Sequence, residues 1–238
     1  MSKILVLNRS VLGHASVSRV LVEEAVTRLT DLDPGATIVH RDLGAAPIPH
    51  LTAATVAGVR GAPVTDSEQT ARALSNELIA ELRNADTIVI GAPMYNFSIS
   101  TSLRAWFDYV LRPGETFSYS EAGPRGLVKG KRVIVIESRG GLYSEGPAKA
   151  IDFQEPYLRH LLGFMGLTDI IFIHAEKIGF GPDAREAALG AAKGKISAVV
   201  VETLAIRCCD SIALPGEELC KHHAWDQVRA DHYNSATR

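Results

Sequence analysis

Apolar residues gather into five short runs, at 4–8 (ILVLN), 37–42 (TIVHRD), 87–91 (TIVIG), 133–138 (VIVIES) and 170–175 (IIFIHA). Most are continuous Val/Ile/Leu runs rather than alternating ones. That pattern predicts parallel strands covered on both faces. The second run is more polar, as an edge strand would be. Between the runs the apolar period lengthens to three and four. Residues 18–32 carry Val20, Leu21, Ala25, Val26 and Leu29, and residues 66–82 carry Leu74, Leu78, Ile79 and Leu82. Residues 100–111 carry Leu103, Phe107, Val110 and Leu111, and further helices are predicted at 156–165 and 185–204. Asp66-Ser67-Glu68 is a helix-start signal. Strand and helix alternating in this way predict an α/β doubly wound parallel sheet of five strands.

Two connections are too long for simple loops. Residues 43–65 hold Pro47, Pro49 and Pro63, and residues 112–131 surround Phe117 and Tyr119 with Gly and Pro. Insertions of this length are usually functional or interfacial. Beyond about residue 204 the periodicity fades. The expected organisation is one domain over 1–204 and an appendage over 205–238.

Composition narrows the function. The net charge is −2 and no basic stripe stands out, which argues against nucleic-acid binding. No apolar run approaches the roughly 18 residues of a membrane span. The start of the chain does not read as a signal peptide, so a cytoplasmic protein is expected. All three cysteines, Cys208, Cys209 and Cys220, fall in the appendage, which excludes a disulfide-built fold. Adjacent Cys208-Cys209 and His222-His223 do not follow zinc-ligand spacings, and no metal centre is expected.

In an open parallel sheet, ligands bind beyond the carboxyl ends of the strands, where the strand order reverses. Three loops fall there. The first, NRSVLGHASVSR, lacks a dinucleotide fingerprint but offers Ser10, Ser16 and Ser18 at the start of a helix. Hydroxyls and free N–H groups there suit a phosphate; the alternative is a plain helix cap. The second presents Met94, Tyr95, Asn96 and Phe97 in a row. Large apolar faces suit a planar ring, with the Asn96 amide at its edge; the alternative is a packed loop. The third is Ser138-Arg139-Gly140-Gly141, where paired glycines let backbone approach a ligand; the alternative is a turn. Together the three point to a flat, phosphorylated ligand such as flavin mononucleotide.

Three stretches, PMYNFSISTSLRAWFDYV, TFSYSEAGPRGLVKGKRVIVIESRGG and LGFMGLTDIIFIHAEKIGFGP, carry a resemblance to the FMN-dependent NADH-azoreductases, which double as NAD(P)H quinone reductases. It runs from Lys3 to about Val201. It implies a flavodoxin-like fold with strand order 2-1-3-4-5, and a homodimer with one FMN per subunit and active sites at the subunit interface. By position it assigns the phosphate to Ser10, Ser16, Val17 and Ser18. The ring falls to Met94, Tyr95, Asn96 and Phe97, and its far edge to Ser138, Arg139, Gly140 and Gly141. Tyr119 and Phe164 match positions that line the substrate space. The chain departs from the family at Val17, where an amide side chain is common, at Arg9 and Arg19, and at Tyr143, where some relatives carry His. The implied activity is reduction of quinones and cleavage of azo compounds with NADH or NADPH, by ping-pong two-electron transfer. No side chain is expected to act as nucleophile or obligatory acid. The rival is a flavodoxin-type electron carrier, disfavoured by the balanced charge and the two insertions. A receiver domain would need carboxylates where this chain has Asn8 and Ala92-Pro93.

Overall fold

Five parallel strands order as β2-β1-β3-β6-β7 in the computed structural model. It describes residues 2–8 and 16–212, without the side chains of 204–212. The strands are β1 (Lys3–Asn8), β2 (Thr37–Asp42), β3 (Thr87–Pro93), β6 (Arg132–Ser138) and β7 (Asp169–Ala175). These are the five runs of the sequence in the expected order. The central β3 is buried along its whole length, whereas β2 at the edge is largely exposed. In register, Leu7 lies beside Ile90, and Pro93 beside Ser138, so the carboxyl ends of β1, β3 and β6 finish together.

Helices cover both faces: α1 (Val17–Leu32), α3 (Asp66–Asn84), α4 (Thr101–Val110), α5 (Glu155–Met165) and α6 (Pro182–Ile212). One core layer packs Leu5, Ile88, Ile90 and Val133 against Leu78 and Leu82 of α3 and Trp106 of α4. The helix starts follow from local chemistry. Thr65 and Glu68 exchange hydrogen bonds in a capping box before α3, and the Ser100 hydroxyl accepts from Leu103 N at 3.3 Å before α4.

The structure adds elements that the periodicity does not reveal. The 43–65 connection holds a short helix, α2 (Val56–Arg60), and the 112–131 connection folds as a hairpin of β4 (Phe117–Ser120) and β5 (Gly123–Gly126). Helix α6 continues to Ile212 rather than stopping at residue 204. The chain forms two compact units, Met1–Ile196 and Ser197–Arg238. In the second, the described residues are helical to Ile212, with Thr203 Oγ1 donating to Val199 O at 2.7 Å. No helix among the described residues is long and apolar enough to cross a membrane.

The hairpin is seated by a close backbone approach. Met165 O accepts from Val128 N at 2.8 Å. A Cβ on Gly126 would lie 2.1 Å from Gly166 N, and Gly166 itself ends α5 at φ +98°. Only glycine fits both demands. Gly126→Ala is therefore expected to lower stability by about 1–3 kcal/mol in urea unfolding, as overpacking does. Gly163→Ala, within α5 and with open space around it, is expected to be neutral or stabilising in the same assay.

Candidate active site

At the end of β1, Ser16 caps α1 and accepts from Arg19 N at 3.5 Å, while its Oγ lies 3.1 Å from Ser18 Oγ. Both hydroxyls and Val17 are buried, and no acidic residue occupies the first turn. The positive end of the α1 dipole thus meets two hydroxyls, with no carboxylate in the first turn to oppose an anion. Arg19 is engaged elsewhere, 2.9 Å from Glu23 and 3.3 Å from Asp42. Ser10 and Arg9 lie outside the described residues. Beside this corner, Asn8 Oδ1 is buried without a hydrogen-bond partner among the described residues. A Cβ on Gly91 would come within 3.3 Å of that oxygen and 3.0 Å of Val22, so glycine keeps the gap between β1 and β3 open.

After β3 the chain turns at once. Tyr95 and Ser98 exchange backbone hydrogen bonds of 2.9 and 3.0 Å around Asn96 and Phe97, whose φ values are 47° and 68°. Positive φ at both central residues is the signature of a type I′ turn. Asn suits it; Phe does not. Met94 and Tyr95 are half-buried, whereas Asn96 and Phe97 are exposed. Phe97 O accepts from Phe153 N at 3.1 Å, and the Phe97 ring meets Tyr143 edge-on at 6.1 Å. Phe153 and Tyr143 therefore join the predicted ring loop. In the sequence Tyr143 stands out only as a departure from the family, and Phe153 carries no signal beyond an aromatic in a loop.

After β6, Met94 N donates to Ser138 O at 2.9 Å, which ties the second loop to the third. Gly140 and Gly141 are at or near the surface, with their carbonyls accepting from Gly179 N and Lys177 N, both at 2.9 Å. Arg139 behaves differently. Its guanidinium is fully buried and lies 2.6 Å from Glu137, 3.0 Å from Asp152 and 3.2 Å from Glu176. The structure turns that side chain away from the surface that Gly140 and Gly141 present.

Next to Arg139, His174 Nε2 stands 3.1 Å from Glu137 and 2.9 Å from Glu155. Burial pulls the imidazole pKa down, but the two carboxylates outweigh it and hold it up to about 9. Contact with His174 at 2.9 Å holds Glu155 down to about 2. Burial pushes the Glu137 carboxyl up. Arg139 at 2.6 Å opposes that, so the proton of the Glu137–His174 pair resides on the imidazole. The donor atoms of Glu137, Glu155 and His174 lie within 4.8 Å of one another, but Arg139 already supplies positive charge to Glu137.

Tyr119 and Phe164 are joined through Phe117, whose ring lies 5.5 Å from Tyr119 and 4.6 Å from Phe164. Tyr119 is 71% exposed, so its ring is free to meet another surface. Arg60, a cation within reach of the insertions, donates to Leu111 O at 3.0 Å. Cys220, His222 and His223 lie outside the described residues, as do the side chains of Cys208 and Cys209.

A family model described as Flavodoxin-like fold matches residues 2–200. The chain is 67% identical over 199 residues to a protein of Hyphomonas neptunium named FMN-dependent NADH:quinone oxidoreductase, spanning 84% of this chain and 96% of that one. A protein of the same name from Ralstonia nicotianae is 49% identical over 206 residues, spanning 85% and 99%. Among solved structures, an azoreductase from Bacillus anthracis superposes with a TM-score of 0.77 at 28% identity, spanning 84% and 99%.

The His174 cluster makes stability depend on pH. The imidazole pKa rises from 6.5 unfolded to about 9 folded, so its contribution is complete below about pH 6.5 and is lost as pH rises through 9. The loss is on the order of 2–3 kcal/mol. Chemical denaturation from pH 6 to 9.5 is expected to show that decline, and His174→Gln is expected to flatten it.

Proposed function

The chain belongs to the flavodoxin-like family, among the FMN-dependent NADH:quinone oxidoreductases, and we propose that it uses FMN to pass electrons from NADH to quinones and aromatic azo compounds. One observation carries this reading. A buried pair of serine hydroxyls at a helix N-terminus, an apolar turn and a glycine turn meet at the carboxyl ends of β1, β3 and β6. The chain passes from β1 to β2 on one side and to β3 on the other, so β1/β3 is the switch point where such folds take ligands.

The residues fit the cofactor. Ser16, Val17 and Ser18 would hold the phosphate, with Ser10 from the preceding loop. The unopposed dipole of α1 supplies the favourable field. Met94, Tyr95, Asn96 and Phe97 would support the ring, the Asn96 amide being exposed to read its edge. Gly140 and Gly141 would offer N–H groups to the far edge, with Ser138 and the backbone of Arg139 fixing where they point. Tyr119 and Phe164 would line the space for the electron acceptor. When bound, FMN supplies the two-electron chemistry between NADH and the acceptor. That chemistry would be the flavin's own, so the protein's task is to bind, orient and exclude water. The donor and the acceptor, both flat, would use the same aromatic mouth in turn, which gives ping-pong kinetics. We assign the activity to residues 1–204 of a cytoplasmic homodimer with active sites at the subunit interface. Residues 205–238 are an appendage to it. NADH is the donor named for both relatives, and we take it as the donor here.

The balanced charge of −2 also favours an enzyme over a docking carrier. A visible spectrum of the purified protein, followed anaerobically, tests both readings. Yellow protein bleached by NADH and recoloured by a quinone is the expected result. Yellow protein that NADH does not bleach would establish the carrier, and colourless protein that takes up no added FMN would remove the assignment. In the same preparation, Ser16→Ala and Ser18→Ala are each expected to weaken FMN binding about tenfold or more. Each removes a hydrogen bond to a charged group worth roughly 1.5–3 kcal/mol.

A further inference from the structure

We propose that Glu176 is a positioning residue that aims the backbone N–H groups of Gly140, Gly141 and Leu142 at the cofactor. This inference rests on the FMN reading above. Three successive carbonyls after β6 are claimed by one neighbouring segment. Arg139 O accepts from Ile178 N at 3.3 Å, Gly140 O from Gly179 N at 2.9 Å and Gly141 O from Lys177 N at 2.9 Å. In a trans peptide unit the C=O and the following N–H point in opposite directions. Each carbonyl drawn toward residues 177–179 therefore turns the next N–H away from them. The N–H groups of Gly140, Gly141 and Leu142 form such a row, and none has a protein acceptor among the described residues. A row of N–H groups facing one way is a set of preorganised donors for negative charge.

Glu176 ends that row. Its Oε1 accepts from Tyr143 N at 2.8 Å and Ser144 N at 3.0 Å, and its Oε2 accepts from the Ser144 hydroxyl at 2.5 Å. The two N–H groups beyond that row are thus turned to the carboxylate. The turn is pinned on both sides, by backbone at 139–141 and by one side chain at 143–144. Glu176 is itself fixed by Arg139 at 3.2 Å. Arg139 also faces Glu137 and Asp152, so its charge lets three carboxylates stand together. This gives the buried guanidinium a task at the site without contact with the ligand. Lys177 adopts φ 62°, a left-handed conformation that a side-chain-bearing residue takes only when its surroundings hold it there. A Cβ on Gly179 would lie 3.2 Å from Gly140 O, so glycine lets the two segments approach.

The consequence is electrostatic. Donors fixed in advance favour the more negative, reduced flavin over the oxidised one at no cost of reordering. Loosening them is expected to weaken binding and to lower the reduction potential together.

The test uses the full-length chain with Glu176→Ala, Glu176→Gln and, as control, Glu145→Gln at an exposed neighbour. Amide hydrogen exchange is read on the flavin-free protein, and FMN affinity and the two-electron potential on the loaded one. For Glu176→Ala the expected results are at least tenfold faster exchange at Tyr143 and Ser144 and an FMN Kd raised about tenfold. The potential is expected to fall by about 30 mV, a tenfold loss of preference for reduced flavin. Glu176→Gln keeps an acceptor and is expected to restore part of each loss, and it serves alone if the alanine variant does not fold. The control is expected to match wild type. Faster exchange with unchanged Kd and potential would make Glu176 structural only and overturn the proposal. Unchanged values throughout would overturn it as well. Wild-type protein that binds no FMN would overturn the function and this inference together, which the wild-type titration alone distinguishes.

Discussion

A strand bonded along both edges and covered on both faces can offer chemistry only at its ends. β3 is in that position: β1 and β6 take its hydrogen bonds, and all seven residues from Thr87 to Pro93 are buried. Any functional group the centre of the sheet supplies must come after Pro93. The chain meets this demand by turning immediately, within four residues. Even the last strand carbonyls are accounted for, since Ala92 O accepts from the buried Gln154 Nε2 at 2.6 Å. Unsatisfied backbone groups that deep would be costly, and a side chain from another segment covers one of them.

The same end of the sheet concentrates buried charge. Glu137 and Arg139 come from β6 and its exit, Asp152 and Glu155 from the start of α5, and His174 and Glu176 from β7 and its exit. Buried ion pairs of this kind are weak sources of stability, because desolvation offsets most of the attraction. What they supply is geometry, since a guanidinium with three carboxylates around it has little freedom left. Arg159 extends the set, 2.6 Å from Glu155 and 4.6 Å above the Phe172 ring. The loops that leave β6 and β7 thus start from anchored positions, and the glycine turn inherits that rigidity.

The strands were legible because burial on both faces writes itself as continuous Val/Ile/Leu runs, and their alternation with helices predicted a parallel doubly wound sheet, whereas the order 2-1-3-4-5 came from the family resemblance. The site was legible as far as local residue types allow: hydroxyls before a helix, large rings after a strand, paired glycines. The β4–β5 hairpin escaped because Phe117-Ser118-Tyr119-Ser120 alternates over only four residues before Gly123 and Pro124 intervene. The role of the Arg139 side chain escaped because two of its three carboxylate partners lie 13 and 37 residues on, at Asp152 and Glu176. One signal for the charge cluster was present. Glu137 and His174 each sit inside an otherwise apolar strand run, and the strand register sets them side by side. A titratable residue in each of two neighbouring apolar strand runs predicts that they compensate each other.

The turn after β3 shows where stability gives way to another demand. A two-residue hairpin of this type requires positive φ at both central positions, and glycine or asparagine would satisfy it with least strain. Asn96 does so. Phe97, at 68°, holds a conformation that costs a bulky residue on the order of 1–3 kcal/mol. Burial does not offset it, because Phe97 remains 44% exposed and meets Tyr143 only edge-on. A glycine there would fold more cheaply but would present no ring. The strain is local to the turn that follows the switch-point strand, and Phe153 holds it in place, its N–H donating to Phe97 O and its carbonyl accepting from the Ser98 hydroxyl. The chain thus keeps an aromatic face at this spot against its own backbone preference, as the role proposed for this loop would require.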